Sequence, residues 1–90
     1  MYVHYYFDLE GKTSERAARV RKYGKALEEA CKKVGCKFHG IWGPGVDKYH
    51  YVAMIEAETA DEGMKPFFEA KRPEELYHII FKTFGKVYPE

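Results

Sequence analysis

The chain has 90 residues, of which 46% are hydrophobic and 17% aromatic, and its net charge is +1. This length fits one domain, residues 1–90, and the composition excludes a disordered chain. A charge so close to neutral argues against bulk attraction to nucleic acid or anionic lipid. No run approaches the ~20 apolar residues of a membrane span, and no signal-peptide segment follows Met1, so a cytoplasmic protein without a membrane partner is expected.

The polar composition is unusual because asparagine and glutamine are absent, whereas lysine, glutamate, arginine and tyrosine are abundant. This pattern is typical of hyperthermophile proteins. Cys31 and Cys36 are expected to be free thiols, although intracellular hyperthermophile proteins also carry disulfides. Two cysteines without a second pair make a structural zinc site unexpected.

The first two elements follow from side-chain periodicity. Strict alternation predicts a strand over residues 2–9. A long helix is then predicted from a cap at Thr13 or Ser14 to about Val34, with its apolar positions three and four residues apart. Gly35 suits the left-handed position that ends such a helix.

The middle of the chain predicts a hairpin. A second strand is expected over residues 36–43, Pro44–Asp47 form a hairpin loop, and a third strand covers residues 49–57. A four-residue loop would pair Trp42 with Tyr49 across the hairpin.

The last third of the chain predicts a helix and one further element. Thr59 and Glu62 form a capping box, and Pro66 predicts a kink or a short, split helix. The buried side of this helix is expected to comprise Met64, Phe67 and Phe68. Residues 76–84 would suit a helix from Pro73, but their aromatic and β-branched content favours a strand.

The resulting order is βαββαβ, an α+β protein with a four-stranded antiparallel sheet and both helices on one face, the ferredoxin-like arrangement. The other face, called here the open face, is apolar and aromatic. It carries Tyr2, His4, Tyr6, Val52 and Met54. Because such a face needs a cover, a homodimer through the open face is expected.

The third strand carries a family resemblance. Tyr49, followed by Tyr51–Ala57, resembles the dimeric α/β-barrel superfamily, most closely its small GYD-domain-like and muconolactone-isomerase-like members. There a tyrosine opens the third strand, which ends in a hydrophobic-Glu-Ala sequence. Asp47 and His50 stand where those members have Gly and Asp. The superfamily includes cofactor-free monooxygenases, isomerases and haem-degrading enzymes, so the resemblance implies a dimeric barrel more than a chemistry.

The histidines supply the candidate site. Four are present, each on a different predicted strand: His4, His39, His50 and His78. Together with Glu56 and Tyr6 they would line a cavity suited to proton transfer on a small ligand. His50 and Glu56 are the candidate catalytic bases, whereas His4, Tyr6, His39 and His78 are candidate ligand-binding residues. These residues could equally fill a polar dimer core, and no metal-binding motif is present.

Two functions follow. The first is a small-ligand protein, possibly an enzyme without a cofactor, which acts as an isomerase or monooxygenase on an aromatic or polyketide-like molecule. The second is an RNA-binding module of the RRM type, since that fold shares the element order and stacks bases on its first and third strands. The charge and the missing RRM sequence pattern make nucleic acid the less expected partner.

Overall fold

A computed structural model describes residues 1–46 and 48–89. The elements are β1 (Tyr2–Leu9), α1 (Thr13–Val34), β2 (Lys37–Trp42), β3 (Tyr51–Glu56), α2 (Ala60–Glu69) and β4 (Leu76–Phe84). The strands form one sheet in the order β2-β3-β1-β4, and every neighbouring pair is antiparallel. This α+β architecture is compatible with a ferredoxin-like fold. Neither helix in these two ranges is long and apolar enough to cross a membrane.

The core lies between one face of the sheet and the two helices. Alternate residues of β1 are fully buried there, namely Val3, Tyr5, Phe7 and Leu9. Phe7 meets the edge of Tyr23 from α1, with ring centroids 5.5 Å apart. Tyr5 meets Phe67 from α2 at 5.3 Å and donates to the Gly63 carbonyl. Both helices therefore cover the same face, as the alternation in β1 predicts.

The bounds of α1 agree with the prediction, but its N-terminal cap differs. Lys12 occupies the capping position, and the predicted caps Thr13 and Ser14 are already in the first turn. The Glu15 carboxylate accepts from the Lys12 backbone N–H at 3.0 Å, which satisfies one free donor of the helix start. Gly35 ends the helix with a φ of 79°, as predicted.

The α2 helix is short and contains Pro66. Thr59 caps it as predicted, because its hydroxyl accepts from the Glu62 N–H at 3.1 Å. Pro66 has no N–H to donate to the Glu62 carbonyl four residues earlier. The Cys36 thiol donates to that carbonyl instead, at 3.3 Å. A side chain immediately before β2 thus replaces the hydrogen bond that the proline removes.

One of the three residues of α2 that were predicted to be buried is exposed. Met64 and Phe67 pack against the core, but Phe68 is 69% exposed. Consecutive helical residues point about 100° apart, so Phe67 and Phe68 cannot both face the sheet.

The pairing of β2 with β3 differs from the predicted register. Trp42 lies opposite Val52 rather than Tyr49, and the register shifts between Phe38 and Gly40. Gly40 adopts a φ of +130°, which suits such a bulge. Because of the shift, Phe38 packs on the core while Trp42 lies on the open face, although a regular strand would put both on one face.

The cause of the different register is the length of the connection. It covers residues 43–50, longer than the predicted loop Pro44–Asp47. Within it the backbones of Val46 and Tyr49 form a bridge, with hydrogen bonds of 2.7 and 2.9 Å. Asp47 itself lies outside the described residues.

Both cysteines are free thiols. Cys31 is buried in α1, and burial raises the pKa of its thiol to about 12. Burial also raises the pKa of Cys36. Cys36 therefore keeps the proton that it donates to the Glu62 carbonyl.

Candidate functional site

The end of β1 carries a buried carboxylate between two histidines. Asp8 is 7% exposed and follows Tyr6 by two residues. Its Oδ2 lies 3.0 Å from Nδ1 of His78, and its Oδ1 accepts from the backbone N–H of His50 at 2.7 Å. An ionised carboxylate only accepts, so Nδ1 of His78 carries the donated proton, and in the neutral ring Nε2 is the basic nitrogen. Asp8, His50 and His78 are called here the Asp8 end.

A local irregularity of β4 brings His78 to this position. The β1–β4 register shifts between Tyr6, opposite Ile80, and Asp8, opposite Tyr77. His78 adopts a φ of 55°, which is uncommon outside glycine and costs of order 1–3 kcal/mol. The hydrogen bond to Asp8 therefore accompanies a backbone conformation that regular strand pairing would not give.

His50 is held from two sides. The Leu9 backbone N–H donates to its Nδ1 at 3.2 Å, and Nη1 of Arg16 lies 2.9 Å from its Nε2. Both neighbours are donors, whereas a neutral imidazole accepts at one nitrogen only. His50 therefore satisfies one of them at a time. Its role is to join the loop before β3 to β1 and α1, and its ring is less available to a ligand than that of His78.

Aromatic side chains line the open face beside His78. Tyr49 stacks on the His78 ring with centroids 4.6 Å apart, and Tyr49 and Tyr6 lie at 5.5 Å. Nζ of Lys82 lies 5.1 Å above the Tyr6 ring. Flat rings, one imidazole and one cation are suited to a planar ligand that carries partial negative charge.

A second histidine–carboxylate pair occupies the opposite end of the sheet. Nε2 of His39 lies 2.9 Å from Oε1 of Glu56, and the Tyr2 ring lies 6.2 Å from that of His39. The hydrogen bond from His39 lowers the pKa of Glu56, and the charges of His39 and Lys37 act in the same direction. His39 and Glu56 are called here the Glu56 end.

The two ends are far apart. His50 immediately precedes β3 and Glu56 is its last residue, a separation of about 20 Å along an extended chain. His4 lies between the ends, with its ring 4.7 Å from Phe84, and burial lowers its pKa. The sequence predicts His50 and Glu56 in a single cavity, but within one chain they lie at opposite ends of β3. Their catalytic roles stay predictions.

Apart from His4, which lies between the ends, the predicted site residues thus fall into two groups. His50 and His78 meet at Asp8, with Tyr6 close by, whereas His39 meets Glu56. Among the described residues, no group of three or more His, Cys, Asp or Glu side chains is arranged to hold a metal ion.

Asp8, which accepts hydrogen bonds from both other residues of the Asp8 end, was not among the predicted site residues. The alternation of β1 places it on the same face as His4 and Tyr6, and an acid on an otherwise aromatic face was the available signal. Arg16 and Tyr49 were missed as neighbours of the histidines because their contacts depend on the long connection before β3.

Comparisons of this chain with protein families, with curated proteins and with solved structures find no match.

Proposed function

We propose that the protein binds a small aromatic or polyketide-like ligand on the open face and moves a proton on it at the Asp8 end. The observation that carries this proposal is the buried Asp8 carboxylate at 3.0 Å from Nδ1 of His78. A carboxylate on one ring nitrogen fixes the tautomer and orientation of an imidazole, so that the other nitrogen acts as a general base.

The chain's own side chains supply the remaining parts of the site. His78 removes a proton from a ligand carbon next to a carbonyl, and Asp8 positions its ring. Tyr49, stacked on His78, and Tyr6 give the flat surface for the ligand. Lys82, above Tyr6, supplies positive charge for the enolate oxygen that forms. Such a proton shift is the chemistry of an isomerase, and an enolate is also a substrate form for a monooxygenase without a cofactor.

The ligand site is proposed to be closed by a second copy of the chain. Large apolar side chains on the open face remain exposed: Tyr2 at 39%, Trp42 at 47%, Ile80 at 41% and Phe84 at 48%. The face also carries both signs of charge, including Lys82 and Glu56. An apolar surface with charges of both signs, on a chain of net charge +1, is better suited to self-association than to binding a polyanion. A stable dimer should bury at least ~1,200 Å² in total.

Hydrogen exchange into a ligand tests the proposed reaction. The protein is incubated with an aryl methyl ketone in D₂O, and deuterium in the methyl group is measured by mass spectrometry. His78→Gln should slow the protein-dependent exchange at least about 100-fold, because it removes the base. His39→Gln is the matched control at the other end and should exchange at the wild-type rate. Equal exchange rates for the two variants, or no exchange above the rate in buffer alone, would contradict the proposal.

Sedimentation tests the dimer separately. Trp42→Asp on the open face should weaken dimerisation about 30-fold or more, because it places a charge in the apolar contact. Phe68→Asp is the control, since Phe68 is more exposed but lies on α2, on the other side of the sheet. A wild-type monomer at micromolar concentration would contradict the dimer.

An RNA-binding module is the second candidate, favoured by the exposed aromatics of the open face. The fluorescence of Trp42, the only tryptophan, reports on this face directly. Quenching by single-stranded RNA at physiological salt, in a monomeric protein, would favour this candidate over the ligand site.

A further inference from the structure

A cleft lies on the helix side of the sheet, away from the open face. It is formed by α1 and by residues 71–75, which join α2 to β4, and it has a volume of about 470 Å³. Its lining combines one buried tyrosine with basic and acidic side chains, chiefly Tyr23, Arg19, Lys22, Lys71, Arg72 and Glu74.

Tyr23 lines this cleft and carries an unused hydrogen-bond donor. Its side chain packs against Phe7 and is 1% exposed. Its buried hydroxyl has no hydrogen-bond partner among the described residues. Burial raises the pKa of Tyr23, so the hydroxyl stays protonated and can donate. Buried hydroxyl groups in proteins nearly always have a partner, so this one calls for an acceptor that the chain itself does not provide.

The charges around the cleft favour a negative acceptor. Arg19 is already paired, because its Nε lies 3.6 Å from Glu75 and its Nη1 donates to the Glu10 carbonyl. Lys22, Lys71 and Arg72 form no ion pair within residues 1–46 and 48–89. Three cations therefore face one remaining acid of the lining, Glu74.

Arg72 is oriented by an aromatic ring. Its guanidinium carbon lies 4.7 Å above the centroid of Phe67, a core residue of α2. It is also near enough to Tyr23 for its charge to offset part of the rise in the tyrosine pKa. The planar donor group of Arg72 and the hydroxyl donor of Tyr23 thus belong to two neighbouring residues of the cleft lining.

We propose that this cleft binds the oxyanion group of a small molecule, a phosphate or a carboxylate. The Tyr23 hydroxyl donates to an oxyanion oxygen, and Lys22, Lys71 and Arg72 supply the positive charge. The site is independent of the ligand site on the open face, and its test does not depend on any reaction there.

Titration of isotope-labelled protein with inorganic phosphate, and separately with acetate, tests the proposal by NMR. Saturable shifts of the amides of residues 71–75 are expected, with a Kd for one of the anions of about 1 mM or lower. Tyr23→Phe should weaken that binding about tenfold, through loss of one charge-assisted hydrogen bond. Without the anion its Tm should be no lower than that of the wild type, because the hydroxyl it removes has no partner.

A lysine pair on α1 supplies the matched control. Lys22→Gln should weaken binding several-fold, whereas Lys25→Gln, on the same helix but not in the cleft lining, should leave the Kd unchanged. The proposal is overturned if neither anion gives saturable shifts. It is also overturned if Tyr23→Phe and Lys22→Gln bind as tightly as the wild type.

Discussion

The two histidine–carboxylate pairs of the sheet have almost the same contact distance, but their carboxylates differ in burial. His78 lies 3.0 Å from Asp8, and His39 lies 2.9 Å from Glu56. The Asp8 side chain is 10% exposed, whereas that of Glu56 is 40% exposed. Asp8 also accepts the backbone N–H of His50 and so connects β1 with the loop before β3. The Asp8 end is part of the fold, whereas the Glu56 end is a surface pair.

Contact distance alone therefore does not rank two ion pairs by their contribution to stability. An exposed pair exchanges its hydrogen bonds with water at little cost and is screened by salt. A buried carboxylate that loses its donors has no such replacement. A buried carboxylate therefore holds the orientation of an imidazole better than an exposed one, and Asp8 is the buried carboxylate of the two.

The largest expected effect is on stability. Asp8→Ala should lower the free energy of unfolding by about 2 kcal/mol, because the backbone N–H of His50 and Nδ1–H of His78 lose a shared acceptor that is itself buried. Glu56→Ala is the matched change at the other end and should leave the free energy of unfolding close to that of the wild type. Urea denaturation followed by circular dichroism measures both. Equal losses would mean that the two ends do not differ as described.

A smaller effect on stability is expected at His4, which lies midway between the two ends. Burial lowers the pKa of His4 below 6.5, so under acid conditions the unfolded chain takes up a proton that native His4 binds less readily. Stability is therefore full above pH 6.5 and falls as the pH drops towards the lower native pKa. His4→Gln should lose less stability than the wild type between about pH 7 and about pH 5. Identical losses in urea titrations at these two pH values would contradict the burial of His4.

The smallest effect is expected at the Glu56 end. The hydrogen bond from His39 lowers the pKa of Glu56 below 4.5, so its contribution to stability is present above pH 4.5. That contribution is lost as the pH falls through the native pKa. Glu56→Gln and the wild type should therefore differ in stability at neutral pH and converge in acid, by a small amount because the pair is exposed. A difference that grows in acid would contradict the assigned sign.

Local patterns were sufficient for most of the fold. The alternation in β1 and the β-branched content of β4 predict both strands with the bounds that the structure shows. The apolar stripe and Gly35 predict α1 for the same reason, since each signal arises within a few residues of the element it describes.

The site depends on contacts that no local pattern contains. Asp8 and His78 are 70 residues apart, and they meet because β4 has an irregularity at His78. The predicted register of β2 against β3 was wrong, because the register depends on the length of the connection between these strands and on the bulge before Gly40. The predicted cavity failed for another reason: His50 and Glu56 share a face, but they lie at opposite ends of β3, about 20 Å apart along the strand.

The separation of the two histidine–carboxylate pairs is tested by the imidazole ¹⁵N spectra of the wild type, Asp8→Asn and Glu56→Gln in basic solution. In the wild type, His78 should be protonated at Nδ1 and free at Nε2, because Asp8 accepts from Nδ1. Asp8→Asn should change the ring signals of His78 and leave those of His39 in place. Glu56→Gln should do the reverse, changing His39 and leaving His50 and His78 unchanged. A change of the His78 or His50 signals in Glu56→Gln, or none for His78 in Asp8→Asn, would contradict two separate pairs and the proton-transfer site at Asp8.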